Sequence, residues 1–190
     1  PYRDMGAYAS IVEGMSGIYE FKRAPGRPPT ANPVGALGDI SSALFGTIGV
    51  LSALRHRDRS GVGQQIDVAM LDATVAMTDI VTNFQSMGLE REWGSGTGIV
   101  DTFGASDGYF VLQCVREHHF SVLCAEIGRP DLVSDERLAS RSGWQDHMSD
   151  ILRPAIESWA ENLTVAEVVD VLSGAGLACG PSLTASQVVA

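Results

Sequence analysis

The sequence predicts an α/β protein, of α+β character over this stretch: a helical first half, then a small α+β unit with a short antiparallel sheet. Three observations predict it. A Pro/Gly-rich loop at 24–38 feeds a long apolar segment in which Ala43, Gly46, Gly49 and Ala53 recur at helical spacings of three and four. Asp107-Gly108 stands between two apolar stretches, the mark of a tight hairpin turn. Thr164-Val165-Ala166-Glu167 has the capping-box pattern that opens a helix.

Taken in order, Ala7 to Glu20 predicts a short helix. Pro25, Gly26, Pro28, Pro29, Pro33, Gly35 and Gly38 then make a loop, because Pro lacks an amide donor and Gly adds backbone freedom. A helix follows from about Ile40 to His56. Gly46 and Gly49 lower its propensity by roughly 1 kcal/mol each, which close packing against another backbone would offset. The cations of Arg55-His56-Arg57-Asp58-Arg59 complement the carbonyl end of the helix, the alternative being a phosphate clamp. Ser60-Gly61-Val62-Gly63 is a turn, and Gln65 to Met70 alternates like a strand with Ile66, Val68 and Met70 on one face. A second helix is expected from Asp72 to about Met87, stopped by Gly88.

The polar, Gly-rich run that follows marks a boundary, giving a first unit at 1–90, a linker at 91–100 and a second unit at 101–190. Beyond the hairpin, helices are expected at about His118–Ile127, Met148–Ala160 and Val165–Ala175, and Gly176 to Pro181 returns as a short strand or loop. No internal repeat or low-complexity tract interrupts the pattern.

With 190 residues, 45% hydrophobic and 19% charged, the chain is long enough for one large or two small globular domains. Its 13 Lys and Arg against 23 Asp and Glu leave a formal charge of −10. That excludes a broad basic surface for nucleic acid or an anionic membrane. A phosphate-bearing ligand must be gripped locally, by a few Arg or Lys and by backbone amides. Cys114, Cys124 and Cys179 are odd in number and widely spaced, which is neither a disulfide framework nor a zinc spacing. A reducing cytoplasm is the expected location. No apolar run reaches about 18 residues without Gly, Ser or charge, so no membrane span is expected. The chain opens at Pro1-Tyr2-Arg3 with no initiator Met or signal peptide, and we expect a piece of a longer protein.

Asp39 is the candidate catalytic residue. It lies in Asn32-Pro33-Val34-Gly35-Ala36-Leu37-Gly38-Asp39-Ile40-Ser41-Ser42, where the loop runs into the apolar helix. Backbone N–H groups at a helix mouth aim a carboxylate, which is what a carboxylate nucleophile requires. The plain alternative is a helix N-cap, contributing about 1 kcal/mol. His118 and His119 are sequence neighbours whose side chains point apart on a helix, so they read as surface or capping residues rather than a metal clamp. His56 and His147 are isolated, and Trp93, Trp144 and Trp159 read as packing residues. No metal ligand set is expected.

Several runs together resemble class III CoA-transferases. They are Val34 to Asp39 before an Ala/Gly-rich helix, Arg59 to Ala73, Asp107-Gly108-Tyr109, Gly128-Arg129-Pro130-Asp131-Leu132, and Gly174 to Pro181. The resemblance spans nearly the whole chain in order. Formyl-CoA and carnitine CoA-transferases belong to that group, and α-methylacyl-CoA racemases share its fold. It implies that the first unit is the part of a large domain that carries the active-site helix. It also implies that a Rossmann-like region holding much of CoA, and a returning C-terminal segment, lie outside this chain.

What the resemblance implies for function is specific. Asp39 would attack an acyl-CoA thioester, giving a mixed anhydride and then an aspartyl-CoA thioester from which the acceptor acid takes CoA. Coenzyme A thioester is then a substrate, no cofactor is bound tightly, a free carboxylic acid is the second substrate, and the partner is a second copy in an interlocked homodimer. Tyr8 matches a family Tyr near the acyl group. Ala9 stands where formyl-CoA transferase has Glu, which argues against formate and oxalate. Leu37 and Gly38 flank the nucleophile, and Gly94-Ser95-Gly96-Thr97-Gly98 lies where formyl-CoA transferases have a glycine lid, or is a linker. Gly96, Thr97 and Gly98 complete the expected binding set. Two other readings compete: racemase-type α-proton transfer, for which a Tyr at position 8 is a poor acid–base partner near neutral pH, and a non-catalytic assembly module.

Overall fold

A computed structural model describes residues 2, 6–20, 26–31, 35–78, 86 and 98–189. The chain divides into two compact units, Pro1–Trp93 and Gly94–Ala190.

In the first unit, helix α1 (Ala9–Met15) and a 3₁₀ turn (Ile18–Glu20) precede the long helix α2 (Leu37–Ser60) and the short α3 (Met70–Ala76). The three helices pack on one another. Their shared interior is thin and partly polar: Ala9, Val12, Ala53 and Ala73 are buried, and so are Glu13, Ser16, Ser41 and Thr74. Helix α2 begins three residues before the expected start and ends on Gly61, whose φ of 73° supplies the left-handed cap that a side chain would resist. Arg57 and Arg59 lie in its last turn, as expected for the carbonyl end.

The small residues of α2 do unequal work. A Cβ on Gly38 would stand 3.1 Å from Ala9 Cα, and one on Gly49 would stand 2.9 Å from Ile66 Cγ2, so both glycines permit close approach. Gly46 faces open space among the described residues, so close packing does not offset its cost there. The expected strand at Gln65–Met70 is not formed. Residues 62–69 run without ladder pairing and Met70 already begins α3. Alternation needs a neighbouring strand to become a sheet, and Ile66 packs on helix α2 instead. The expected second helix is seen as α3 and ends at Ala76; most of its remainder to Met87 lies outside the described residues.

Ile40, Leu44, Ile48 and Leu51 recur on one face of α2 and are about half exposed or more. By length and composition, Leu37–Ser60 is long and apolar enough to cross a membrane, with 17% of its most apolar window buried. This qualifies the expectation of no span: the Gly and Ser residues of α2 interrupt the apolar run without lowering its mean hydropathy below the range of a span.

The second unit is built on a three-stranded antiparallel sheet in the order β1 (Ile99–Ala105), β2 (Gly108–Cys114), β3 (Ala178–Pro181). The hairpin turn falls at Ser106-Asp107, as Asp107-Gly108 predicts. Phe110, Leu112 and Cys114 alternate inward on β2 while Tyr109, Val111 and Gln113 face out. Phe103 pairs with Phe110 in register, their rings 5.7 Å apart. Against this face pack α4 (Glu117–Glu126), α6 (Arg153–Ala160) and α7 (Val165–Gly174), burying Phe120, Leu123, Ile156, Val168 and Leu172. Helix α7 starts with the expected capping box, and Asp107 Oδ1 accepts the Val165 N–H at 2.7 Å.

The helix expected over Met148–Ala160 is two pieces, a π-helical turn (Met148–Leu152) and α6. Pro154 is the reason: it has no amide to donate and its ring opposes the carbonyl one turn earlier, so a regular helix cannot run through it. Two short 3₁₀ turns (Pro130–Ser134 and Glu136–Leu138), α5 (Arg141–Asp146) and α8 (Ala185–Val188) complete the unit. Trp144 is buried, stacks on Phe120 at 4.5 Å and donates its indole N–H to Leu138 O at 2.7 Å. Trp159 packs partly buried against the same core, and Trp93 lies outside the described residues.

Candidate active site

Asp39 does not cap α2. The N-cap position is Ala36, which has no side-chain oxygen to offer, and Asp39 is the third residue of the helix. Its carboxylate is exposed and takes no hydrogen bond or ion pair from any described residue. The approach to it is strained in one place. Gly35 has φ 65° and Ala36 has φ 24°, the one non-Gly residue with positive φ among those described. Strain of this kind persists where surrounding contacts over-determine it.

The contact that does so comes from another helix. The first intrahelical bond of α2 is Ile40 N–H to Ala36 O at 3.0 Å, so the amides of Leu37, Gly38 and Asp39 precede the ladder. Gly38 N–H is donated to Glu13 Oε1 at 3.2 Å. Glu13 is 2% exposed, and its Oε2 accepts from the Tyr19 hydroxyl at 3.0 Å. Burial of that hydroxyl and the neighbouring Glu13 carboxylate together hold the Tyr19 pKa above its ordinary value. Ser41 and Ser42 hydroxyls both donate to Gly38 O, at 3.0 and 2.7 Å. Gly38 is thus tied at both its amide and its carbonyl, one residue before the candidate nucleophile. Sequence reading missed Glu13. The available signal was a carboxylate among the apolar residues Ile11, Val12 and Met15 of a short helix.

Tyr8 precedes α1 and is 78% exposed. The start of α1 and the start of α2 meet where Ala9 abuts Gly38. Tyr8, Leu37, Gly38 and Asp39 are thereby gathered in the first unit, with Leu37 half-buried and Gly38 buried. Beside α1, a cleft of about 340 Å³ is lined by Ala7, Ile11, Met15, Met70 and Leu71 among others, mostly apolar side chains.

Gly98 belongs to the second unit. It has φ 125°, and a Cβ there would stand 2.5 Å from Cys114 O, so local packing alone accounts for this glycine. Its carbonyl accepts the Gln145 side-chain amide. Gly96 and Thr97 lie outside the described residues.

A second cleft, of about 530 Å³, is lined by Gln113, Val115, Arg116, Glu117, His118 and Arg141. Arg141 forks onto Glu117 at 2.9 and 3.0 Å and holds that carboxyl below its ordinary range. His118 is exposed, whereas His119 is half-buried and its Nδ1 is buried without a hydrogen-bond partner among the described residues, so the surface or capping reading fails for His119. Cys114, Cys124 and Cys179 are free thiols. Burial pushes Cys114 up to about 12 and Cys124 and Cys179 up to about 11, which keeps all three in the unreactive thiol form.

The whole chain, residues 1–190, matches the family model of CoA-transferase family III. It is 33% identical to acetyl-CoA:oxalate CoA-transferase of Acetobacter aceti, over 98% of this chain and 49% of that protein. It is 30% identical to succinyl-CoA–D-citramalate CoA-transferase of Chloroflexus aurantiacus, over 100% of this chain and 48% of that protein. Among solved structures, a CAIB/BAIF family protein from Brucella suis superposes with a TM-score of 0.78 at 29% identity, over 100% of this chain and 51% of that one. The hypothetical protein Rv3272 from Mycobacterium tuberculosis gives a TM-score of 0.78 at 29% identity, over the same shares. The chain spans about half the length of the curated relatives it matches. It belongs to CoA-transferase family III.

Proposed function

We propose that this protein transfers CoA from an acyl-CoA to a carboxylic acid, with Asp39 as the acyl acceptor. One observation carries the assignment: Asp39 is an exposed carboxylate in the first turn of a helix whose capping it does not perform. A carboxylate left free by its own fold, and backed by helix N-terminal amides, is equipped to attack.

In the proposed reaction the Asp39 carboxylate adds to the thioester carbonyl and the C–S bond breaks, releasing CoA thiolate and leaving a mixed anhydride. The thiolate then adds to the aspartyl carbonyl and expels the donor acid, forming an aspartyl-CoA thioester. The acceptor carboxylate attacks that thioester, the thiolate leaves again, and its attack on the acceptor acyl carbon frees Asp39 and delivers the new acyl-CoA. Each step exchanges one carbonyl bond for another and needs no redox partner. The amides of Leu37 and Asp39, which precede the helical ladder, are suited to stabilise the tetrahedral oxyanions. Tyr8 directly precedes Ala9, which abuts Gly38, and its assignment to the acyl group rests on the family resemblance. The roles of Gly96, Thr97 and Gly98 rest on the family resemblance.

The acceptor is a carboxylic acid of undetermined identity. Ala9 argued against oxalate, yet a relative 33% identical is named for oxalate, so Ala9 alone does not decide the acceptor. We also propose an interlocked homodimer, with the exposed apolar face of α2 covered in the assembled protein, and a cytoplasmic location. The unreactive, unpaired thiols support the latter. No nucleic acid, membrane, metal or tightly bound cofactor forms part of the proposal.

The test is to incubate the longest form its gene encodes with an acyl-CoA and hydroxylamine, then map the modified residue by mass spectrometry. Hydroxamate at Asp39, with activity abolished in Asp39→Ala, is the expected result. Activity surviving Asp39→Ala overturns the assignment. Deuterium entering the α-carbon of the acyl-CoA without an acceptor acid would favour racemase chemistry instead.

A further inference from the structure

Helix α2 has a cap, but it is supplied from outside the helix. Residue 36 has a methyl group where an N-cap oxygen would stand, and the Asp39 carboxylate bonds to no described residue. The amide that needs an acceptor, Gly38 N–H, receives one from Glu13 on α1, 25 residues earlier. A carboxylate at this end of a helix also meets the positive end of the helix dipole. The second oxygen of Glu13 is fixed by Tyr19 OH, which also reaches Ser10 O at 3.1 Å. Ser16 closes α1 by donating to Glu13 O at 2.8 Å. Both carboxylate oxygens of Glu13 thus have a partner, and the residue is almost wholly buried.

We propose that Glu13 is the positioning residue for Asp39: it caps α2 from the neighbouring helix, fixes the first turn at Gly38 and leaves the Asp39 carboxylate uncommitted. This rests on the reading of Asp39 as the acyl acceptor. The placement of Glu13 explains why α2 tolerates the backbone at Ala36. A helix start with φ 24° at a non-Gly residue and no local side-chain cap requires an external restraint. It also explains why Gly38 is glycine, since only a bare Cα lets α1 come within reach. Nearby carbonyl acceptors do not substitute for Glu13, because Gly38 N–H precedes the ladder of its own helix.

The test compares Glu13→Ala, Glu13→Gln and Glu13→Asp in the longest form its gene encodes. Glutamine keeps an oxygen for Gly38 N–H and a polar group for Tyr19. Aspartate keeps the charge but draws the oxygens back by one methylene. Two quantities are read: steady-state kinetics with acyl-CoA, and amide exchange of the peptide spanning 35–45 by mass spectrometry. A misplaced nucleophile lowers kcat by about 100-fold with KM for acyl-CoA little changed. The expected order is therefore glutamine near wild type, with aspartate and alanine low in kcat and fast in exchange. If alanine yields no folded protein, the aspartate–glutamine contrast carries the result. Equal kcat in the aspartate and glutamine variants, or unchanged exchange at 35–45 in the aspartate variant, overturns the proposal. Asp39→Ala is run in parallel: its retaining activity would sink the acyl-acceptor reading, while the exchange data would still report whether Glu13 holds Gly38.

Discussion

Alanine at Gly38 should destabilise the first unit, whereas the same substitution eight residues later, at Gly46, should stabilise it. The added methyl at Gly38 would lie 3.1 Å from Ala9 Cα, 3.2 Å from Met70 Sδ and 3.4 Å from Ala9 O. Two of those three neighbours are backbone atoms that cannot rotate away. Overpacking of this kind costs about 1–3 kcal/mol. Separating α1 from α2 also lengthens the 3.2 Å bond from Gly38 N–H to Glu13, worth about 1 kcal/mol. Against this stands a helix-propensity gain of at most about 1 kcal/mol. The net is a loss of about 1–3 kcal/mol. At Gly46 a Cβ meets nothing within 4 Å, so only the propensity gain of about 0.5–1 kcal/mol remains. Urea denaturation followed by far-ultraviolet circular dichroism reads both. With a slope of about 2 kcal/mol/M, the midpoints should move down by about 0.5–1.5 M for Gly38→Ala and up by about 0.3–0.5 M for Gly46→Ala. Gly38→Ala as stable as the parent would refute the close approach of α1 and α2, and with it the route by which Glu13 reaches Gly38.

Two further outcomes follow from the second unit. Asp135 is held at about 2 by the side-chain and backbone hydrogen bonds it accepts from Arg137. Because the folded value lies below the unfolded one, this contribution is full above about pH 4 and is lost as pH falls through about 2. A carboxyl-carbon NMR titration should place Asp135 near 2, and Arg137→Ala should return it toward the ordinary range. Thiol titration with a chromogenic disulfide at pH 8 should show slow reaction of the native protein and prompt reaction of all three cysteines in guanidinium, since burial pushes Cys114 to about 12 and the others to about 11. Prompt stoichiometric labelling of the native chain would contradict the packing around β2.

Much of the fold was legible because its signals act over a few residues. Asp107-Gly108 turns the hairpin, Thr164 and Glu167 cap α7, and Gly61 stops α2, each through geometry set by its own neighbours. The alternation of Ile66, Val68 and Met70 misled for the converse reason, since period-two patterning becomes a strand only when another strand lies alongside. Pro154 is an equally local signal: it divides the stretch Met148–Ala160 into a π-helical turn and α6.

Position 39 divides the two kinds of information. Its residue type, its place between a Pro/Gly loop and an apolar helix, and the series of motifs around it were all readable along the chain. Whether that carboxylate served as a cap or stood free was not, because the answer depends on a hydrogen bond from Gly38 to Glu13 across 25 residues and on two helices close enough to exclude a methyl group. Local pattern determines which backbone groups need partners; only the packed structure determines which side chain supplies them.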